Sequence, residues 1–221
     1  MSWGLIAFLA VFVLIFLLRM PIPMGLMAAC ILYFVVSGEP VKMVAQQTLK
    51  TFYTNYTIIA VPLFIFAANV MNTGKVTDKV YGFALGLVGR LRGGLGHVNI
   101  LGSLVFAGMT GSAIADASGL GKMEIEAMRK EGYDDGFSCA MTAASAVLGP
   151  TFPPSIPMVI YAMFSGASVG ALFLGGMVPA VLLTLALMGY VAYIATKRNY
   201  PRSAKITLRQ RVRYYVSAIP A

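Results

Sequence analysis

The chain has 221 residues, 58% of them hydrophobic and only 11% charged, with a mean hydropathy of +0.79. Soluble domains carry about 25% charged residues, so this composition excludes an ordinary water-soluble domain. A net charge of +9 would suggest a nucleic-acid partner in a soluble protein. Here the bases sit between long apolar runs, which excludes that reading and makes the lipid bilayer the first partner, with basic loops beside anionic headgroups.

A helix needs about 20 apolar residues to cross a bilayer, within a range of about 17 to 25. Residues 3–18 and 22–36 lie near the short end of that range and are hinged by Arg19-Met20-Pro21-Ile22-Pro23, which predicts an antiparallel pair. The first run imitates a signal peptide. It has no bases before it, and Arg19-Met20-Pro21 is a poor cleavage site, so a retained span is expected. Residues 38–55 are polar, with Lys42, Gln46, Gln47 and Lys50 spaced along a surface helix. A third span is expected at 56–71, containing Pro62. Residues 74–94 alternate charge (Lys75, Lys79, Arg90, Arg92) with apolar bulk, the pattern of a helix lying in the interface plane.

The following stretch is apolar over 96–109 but too short to cross. It meets a small polar tip, Thr110-Gly111-Ser112-Ala113, and returns through 114–120 into a charged segment at 122–135. Two short arms around such a tip predict a re-entrant hairpin, a form tolerated at membrane depth only where protein or a cavity surrounds it. Residues 136–148 form another apolar run, broken by Gly149-Pro150-Thr151-Phe152-Pro153-Pro154-Ser155-Ile156-Pro157 and resumed over 158–164. Prolines there remove backbone donors and leave carbonyls without helical partners. A last span is expected at 171–195, then a basic tail over 197–213. With the hairpin entering and leaving on one side and the amino terminus outside, every base except Lys42 and Lys50 falls on the cytoplasmic side, as the positive-inside rule requires. The fold class is therefore an all-α integral membrane bundle with a re-entrant hairpin and a broken helix.

No catalytic set stands out, so no enzyme is expected. His97 is the sole histidine, Cys30 and Cys139 lie in apolar runs as buried small hydrophobes, and no phosphate loop or metal-ligand cluster occurs. Discontinuous helices free carbonyls to coordinate Na⁺ and aim half-helix amino ends at anionic groups. The oxygen donors available for a hard cation are Ser103, Thr110, Ser112, Asp116, Thr142, Ser145 and Thr151. An acid at membrane depth is a functional candidate by default, against the plainer reading of Asp116 as a helix cap. Ser112, Thr142 and Ser145 read equally as small packing residues. Asn99 and His97 read as structural hydrogen bonders, and Lys122, Glu124, Glu126, Arg129 and Lys130 as a solvated cytoplasmic turn.

Three blocks carry a family resemblance. They are Gly102-Ser103-Leu104-Val105-Phe106-Ala107-Gly108-Met109-Thr110-Gly111-Ser112-Ala113-Ile114-Ala115-Asp116-Ala117, Glu124-Ile125-Glu126-Ala127-Met128, and the breaker extended through Met158-Val159-Ile160-Tyr161. In this order, over essentially the whole chain, they resemble the large membrane subunit of the tripartite ATP-independent periplasmic (TRAP) transporters. That family's subunit has two inverted-topology halves, and the chain is similar to the first. The resemblance implies an elevator mechanism in the inner membrane, Na⁺ as coupling ion, a carboxylate such as a C4-dicarboxylate or sialic acid, a small TRAP membrane subunit and a periplasmic substrate-binding protein. Residues 1–94 then supply scaffold-type spans and arm helices, 95–165 the hairpin and broken helix of a transport domain, and 166–221 the last span and basic tail.

The Na⁺ candidates are Ser103, Gly108, Thr110, Gly111, Ser112, Asp116, Gly149, Pro150 and Thr151. The substrate-facing candidates are Thr142, Ser145, Pro153 and Pro154. Two rival readings use the same features: a channel with the hairpin as filter, or a non-transporting scaffold subunit.

Overall fold

The structure, a computed structural model, describes residues 3–54, 57–73 and 76–201. Tyr56, Lys75 and the basic tail beyond Pro201 lie outside the described residues. Two compact units form, Met1–Tyr56 and Thr57–Ala221.

In the first unit, α1 (Trp3–Leu17) and α2 (Ile22–Val36) pack as the expected antiparallel pair. Gly4, at the start of α1, faces Tyr33 and Ser37 at the end of α2, while Gly25 faces Ile15 at the opposite end. Glycine at both crossings lets the backbones approach without side chains between them, the small-residue packing used where lipid gives no hydrophobic drive. Pro21 caps α2 and Pro23 sits in its first turn, where a missing N–H costs nothing. The polar α3 (Lys42–Thr54) follows, with no residue of its own buried.

The second unit is organised around α6 (Gly94–Thr110), which packs against α4 (Thr57–Thr73), α5 (Val76–Val88), α8 (Leu120–Lys130), α9 (Asp135–Ser145) and α12 (Val169–Lys197). Leu95, Ile100 and Ala107 of α6 join Met128, Met141, Leu148 and Val191 in the main core. Phe106, Leu120 and Val80 form a second cluster. The segment expected to lie in the interface plane is α5, which buries Val80 and Ala84 as it packs along α6.

Among the described residues, two stretches are each long and apolar enough to cross a membrane: α12, of 29 residues, and the interrupted run Asp135–Ser165. At about 1.5 Å per residue α12 is about 43 Å long, ample for a hydrocarbon core of about 30 Å. Its Leu174, Val178, Leu182 and Leu185 are exposed, as lipid-facing side chains are. Cys139, expected inside, is instead exposed on α9, because that helix turns Ser138 and Thr142 inward; Cys30 is half-buried.

The ends of α9 and α12 are tied together outside the spans. Asp134 caps α9 by accepting from the Phe137 amide at 2.9 Å, and it also accepts from Arg198 at 2.6 Å and from the Tyr200 hydroxyl. These donors, Tyr200 foremost, hold its carboxyl down at about 2. Tyr200 stacks on Tyr133, ring centroids 4.5 Å apart, and burial pushes the Tyr133 hydroxyl up to about 12.

Candidate functional site

The helix α6 stops at Gly111, whose φ of 60° is the left-handed value glycine adopts at least cost. Ser112 then caps α7 (Ala113–Ser118), its hydroxyl accepting from the Ala115 amide at 3.3 Å. The chain turns again at Gly119 and runs back along α6 as α8, so that Leu120 and Glu124 lie against Gly102. A hairpin is present in the fold; its return arm is α7 plus α8 rather than a single short helix.

The other break follows α9. A single turn, α10 (Leu148–Thr151), is followed by an extended Phe152, a cis Pro153-Pro154 bond and α11 (Ile156–Ser165). Ser155 caps α11 by accepting from the Met158 amide at 3.4 Å, and it donates to the Pro150 carbonyl at 2.6 Å. Ser155 is fully buried, and sequence reasoning gave it no role. The signal was available: a serine just before a helix with proline in its first turn is a strong start pattern.

The hairpin tip and the broken helix meet. The Ile156 amide donates to the Gly111 carbonyl at 3.3 Å. A Cβ on Gly111 would stand 2.5 Å from the Pro154 carbonyl oxygen, and one on Gly149 would stand 2.8 Å from the Ala113 nitrogen and the Ser112 carbonyl carbon. Gly108 faces Phe152 and the Pro153 carbonyl. The last carbonyls of α6, at Gly108, Met109 and Thr110, belong to its final turn and accept no backbone hydrogen bond from described residues beyond it. The two interrupted helices therefore meet backbone to backbone with little side chain between them. The hydroxyls at the tip are engaged locally: Thr110 donates to the Phe106 carbonyl at 3.2 Å and Thr151 to that of Val147 at 2.8 Å.

The remaining candidates form a second group on the other side of α6. Asn99 donates to Thr142 at 2.8 Å, Ser145 donates to the Asn99 side-chain oxygen at 2.7 Å, and Ser103 and Ser145 are 3.1 Å apart. Ser103 also hydrogen-bonds Asp116. Asn99 and Ser103, one turn apart on α6, thus face Thr142 and Ser145 on α9. Pro153 and Pro154 stay with the tip. Glu124, expected in a solvated turn, is 1% exposed and belongs beside this second group. The correction has a simple origin: Leu120, Glu124 and Met128 recur every fourth residue, on the face of α8 that packs against α6. Glu126, Arg129 and Lys130, on the other faces, are exposed.

Apolar spans, a helical hairpin and an interrupted helix fit a multi-pass membrane protein. The chain belongs to the tripartite ATP-independent periplasmic transporter family, DctM component, whose family model matches residues 8–221. It is 45% identical over 202 residues to the sialic acid TRAP transporter permease protein SiaT of Haemophilus influenzae, covering 91% of this chain and 33% of that protein. It is 42% identical to the sialic acid TRAP transporter large permease protein SiaM of Vibrio cholerae, covering 86% of this chain and 45% of that one. To the C4-dicarboxylate TRAP transporter large permease protein DctM of Vibrio cholerae it is 36% identical, covering 82% and 40%. The chain thus spans between a third and less than half of these relatives, matching the amino-terminal half of a TRAP large permease. They are transporter permeases, not enzymes.

Proposed function

We propose that this chain is the amino-terminal half of a Na⁺-coupled carboxylate permease of the inner membrane, with one Na⁺ held between the hairpin tip and the broken helix. The observation that carries the reading is the contact of Gly111–Ser112 with Gly149 and Pro154–Ile156, which brings the backbones of two interrupted helices together. Each unsatisfied carbonyl in lipid costs several kcal/mol, and one small cation relieves several at once.

The cargo is an organic acid anion. A sialic-acid-type substrate comes before a C4-dicarboxylate because identity to the sialic acid permeases, 45% and 42%, exceeds that to DctM, 36%. Substrate arrives from a periplasmic binding protein, and a small membrane subunit completes the scaffold against which the hairpin and broken helix move as an elevator. The hairpin enters and leaves from the cytoplasmic face, since that sidedness keeps the bases inside. A site at the interface of two repeats needs both, so this half alone does not transport.

The test is uptake into proteoliposomes holding the assembled transporter, supplied with loaded binding protein. An inward Na⁺ gradient should drive accumulation, and replacing Na⁺ by choline should abolish it. Equal uptake in both salts would rule out the coupling.

A further inference from the structure

The helices α9 and α12 both pack on α6, and a groove of about 460 Å³ is left between them. Its origin is legible in α9: Gly136, Ala140 and Ala144 recur every fourth residue along one face and line the groove, where larger side chains would close it. Met141 on α9 and Leu187 on α12 supply bulkier apolar lining. Ala140 is exposed, so the groove opens sideways to the surroundings of the helices.

One end of the groove is charged. Arg198 and Asp134 line it where α12 finishes and α9 begins. Both carboxylate oxygens of Asp134 are occupied, one by the Phe137 amide and the other by Arg198 and the Tyr200 hydroxyl. Arg198 makes its contacts through Nη1 alone, to Asp134 and Tyr200, and its side chain is half-exposed. Among the described residues, Nε and Nη2 are therefore left to donate, in the planar fork that suits a phosphate. Asp135 is paired with Arg129 and Asp134 with Arg198, so the neighbouring Lys197 is a cation in surplus.

The groove thus runs from a cationic mouth to an apolar interior. Leu187 lies eleven residues before Arg198, about 16 Å along the helix axis. Half of a hydrocarbon core of about 30 Å is about 15 Å, so the depth matches one acyl chain of one leaflet. Inside a bilayer an apolar tail gains only packing contacts from such a groove. Selection then falls to the headgroup, and a basic mouth between spans favours net negative charge.

We infer that this groove is a binding site for an anionic phospholipid, with its phosphate on Arg198 and one acyl chain laid between α9 and α12. The lipid fills the seam below the contact of Asp134 with Arg198 and Tyr200, and braces the start of the broken helix against the last span. The inference rests on the membrane setting of these helices and is independent of Na⁺ coupling and of the cargo.

The experiment uses the assembled transporter in nanodiscs that hold a trace of phosphatidylglycerol with a diazirine on one acyl chain, or the matching phosphatidylcholine. After illumination, crosslinked peptides are identified by mass spectrometry. Phosphatidylglycerol should label 136–144 or 183–194 at least threefold more than phosphatidylcholine does. Ala140→Phe, which fills the groove from an exposed position and leaves Arg198 and Asp134 untouched, should cut that labelling at least fivefold. Arg198→Gln should bring phosphatidylglycerol down to the level of phosphatidylcholine. Equal labelling by the two lipids in the wild type, or labelling undiminished in Ala140→Phe, would reduce the contact to ordinary surrounding lipid and overturn the site. No labelling of either segment would mean that another part of the assembled transporter fills the groove, and would overturn it equally.

Discussion

Gly149→Ala is the sharpest probe of the contact on which the functional reading rests. The added methyl would lie 2.8 Å from the Ala113 nitrogen and 2.8 Å from the Ser112 carbonyl carbon. Both are backbone atoms at a turn, so neither yields as a flexible side-chain end would. Reaching an ordinary contact of about 3.4 Å requires the tip and α10 to separate by about half an ångström. Overpacking of this kind costs about 1–3 kcal/mol. For a domain of this size, 1 kcal/mol shifts Tm by about 2–4 °C, so the expected loss is about 2–12 °C. Gly175→Ala is the matched control, because nothing lies within 4 Å of its added methyl on the exposed side of α12. Alanine there favours the helix, by at most about 1 kcal/mol. Thermal unfolding followed by fluorescence-detected size-exclusion chromatography in one detergent compares the two. If Gly149→Ala were as stable as Gly175→Ala, the hairpin tip and the broken helix would not be in contact.

Gly111→Ala should be worse than Gly149→Ala, since it adds a backbone clash with the Pro154 carbonyl to the cost of a positive φ; a smaller Tm loss than that of Gly149→Ala would contradict this. Ser155→Ala removes a helix cap and the buried donor to Pro150, a loss of about 1–2 kcal/mol, and limited proteolysis should become faster between α10 and α11. The Asp134 carboxyl is depressed to about 2, chiefly by the Tyr200 hydroxyl. Its contribution is full above the unfolded value of about 4 and is lost as pH falls through about 2; Asp134→Asn should flatten that acid limb of the unfolding profile, and an unchanged limb would dismiss the latch.

Much of this fold is legible in the sequence because membrane helices are written in long apolar runs and punctuated by glycine, proline and serine. The hinge at Arg19–Pro23, the tip at Gly111-Ser112 and the breaker after Gly149 each hold a glycine or a proline where a helix stops. Burial of charge is another matter. Glu124 stands between lysine, glutamate and arginine in a segment that reads as solvated, and only the fourfold spacing with Leu120 and Met128 hints at its place. Which helix faces which is also absent from local pattern. Asn99 and Ser103 share a face of α6, as Thr142 and Ser145 share one of α9, but their meeting depends on how those two helices pack. A candidate set read as one site is therefore two groups, carbonyls at the tip and side chains beside it. Exposure of Cys139 has the same cause, since an apolar stretch does not say which of its faces looks inward.

The most direct test of the central claim is the Na⁺ dependence of substrate uptake by the reconstituted transporter, measured for the wild type and for Ser112→Ala. Ser112 shapes the tip whose carbonyls face Gly149, and its loss should leave membrane insertion intact. The half-saturating Na⁺ concentration should rise severalfold. An unchanged half-saturation would place the coupling ion somewhere other than between the hairpin and the broken helix.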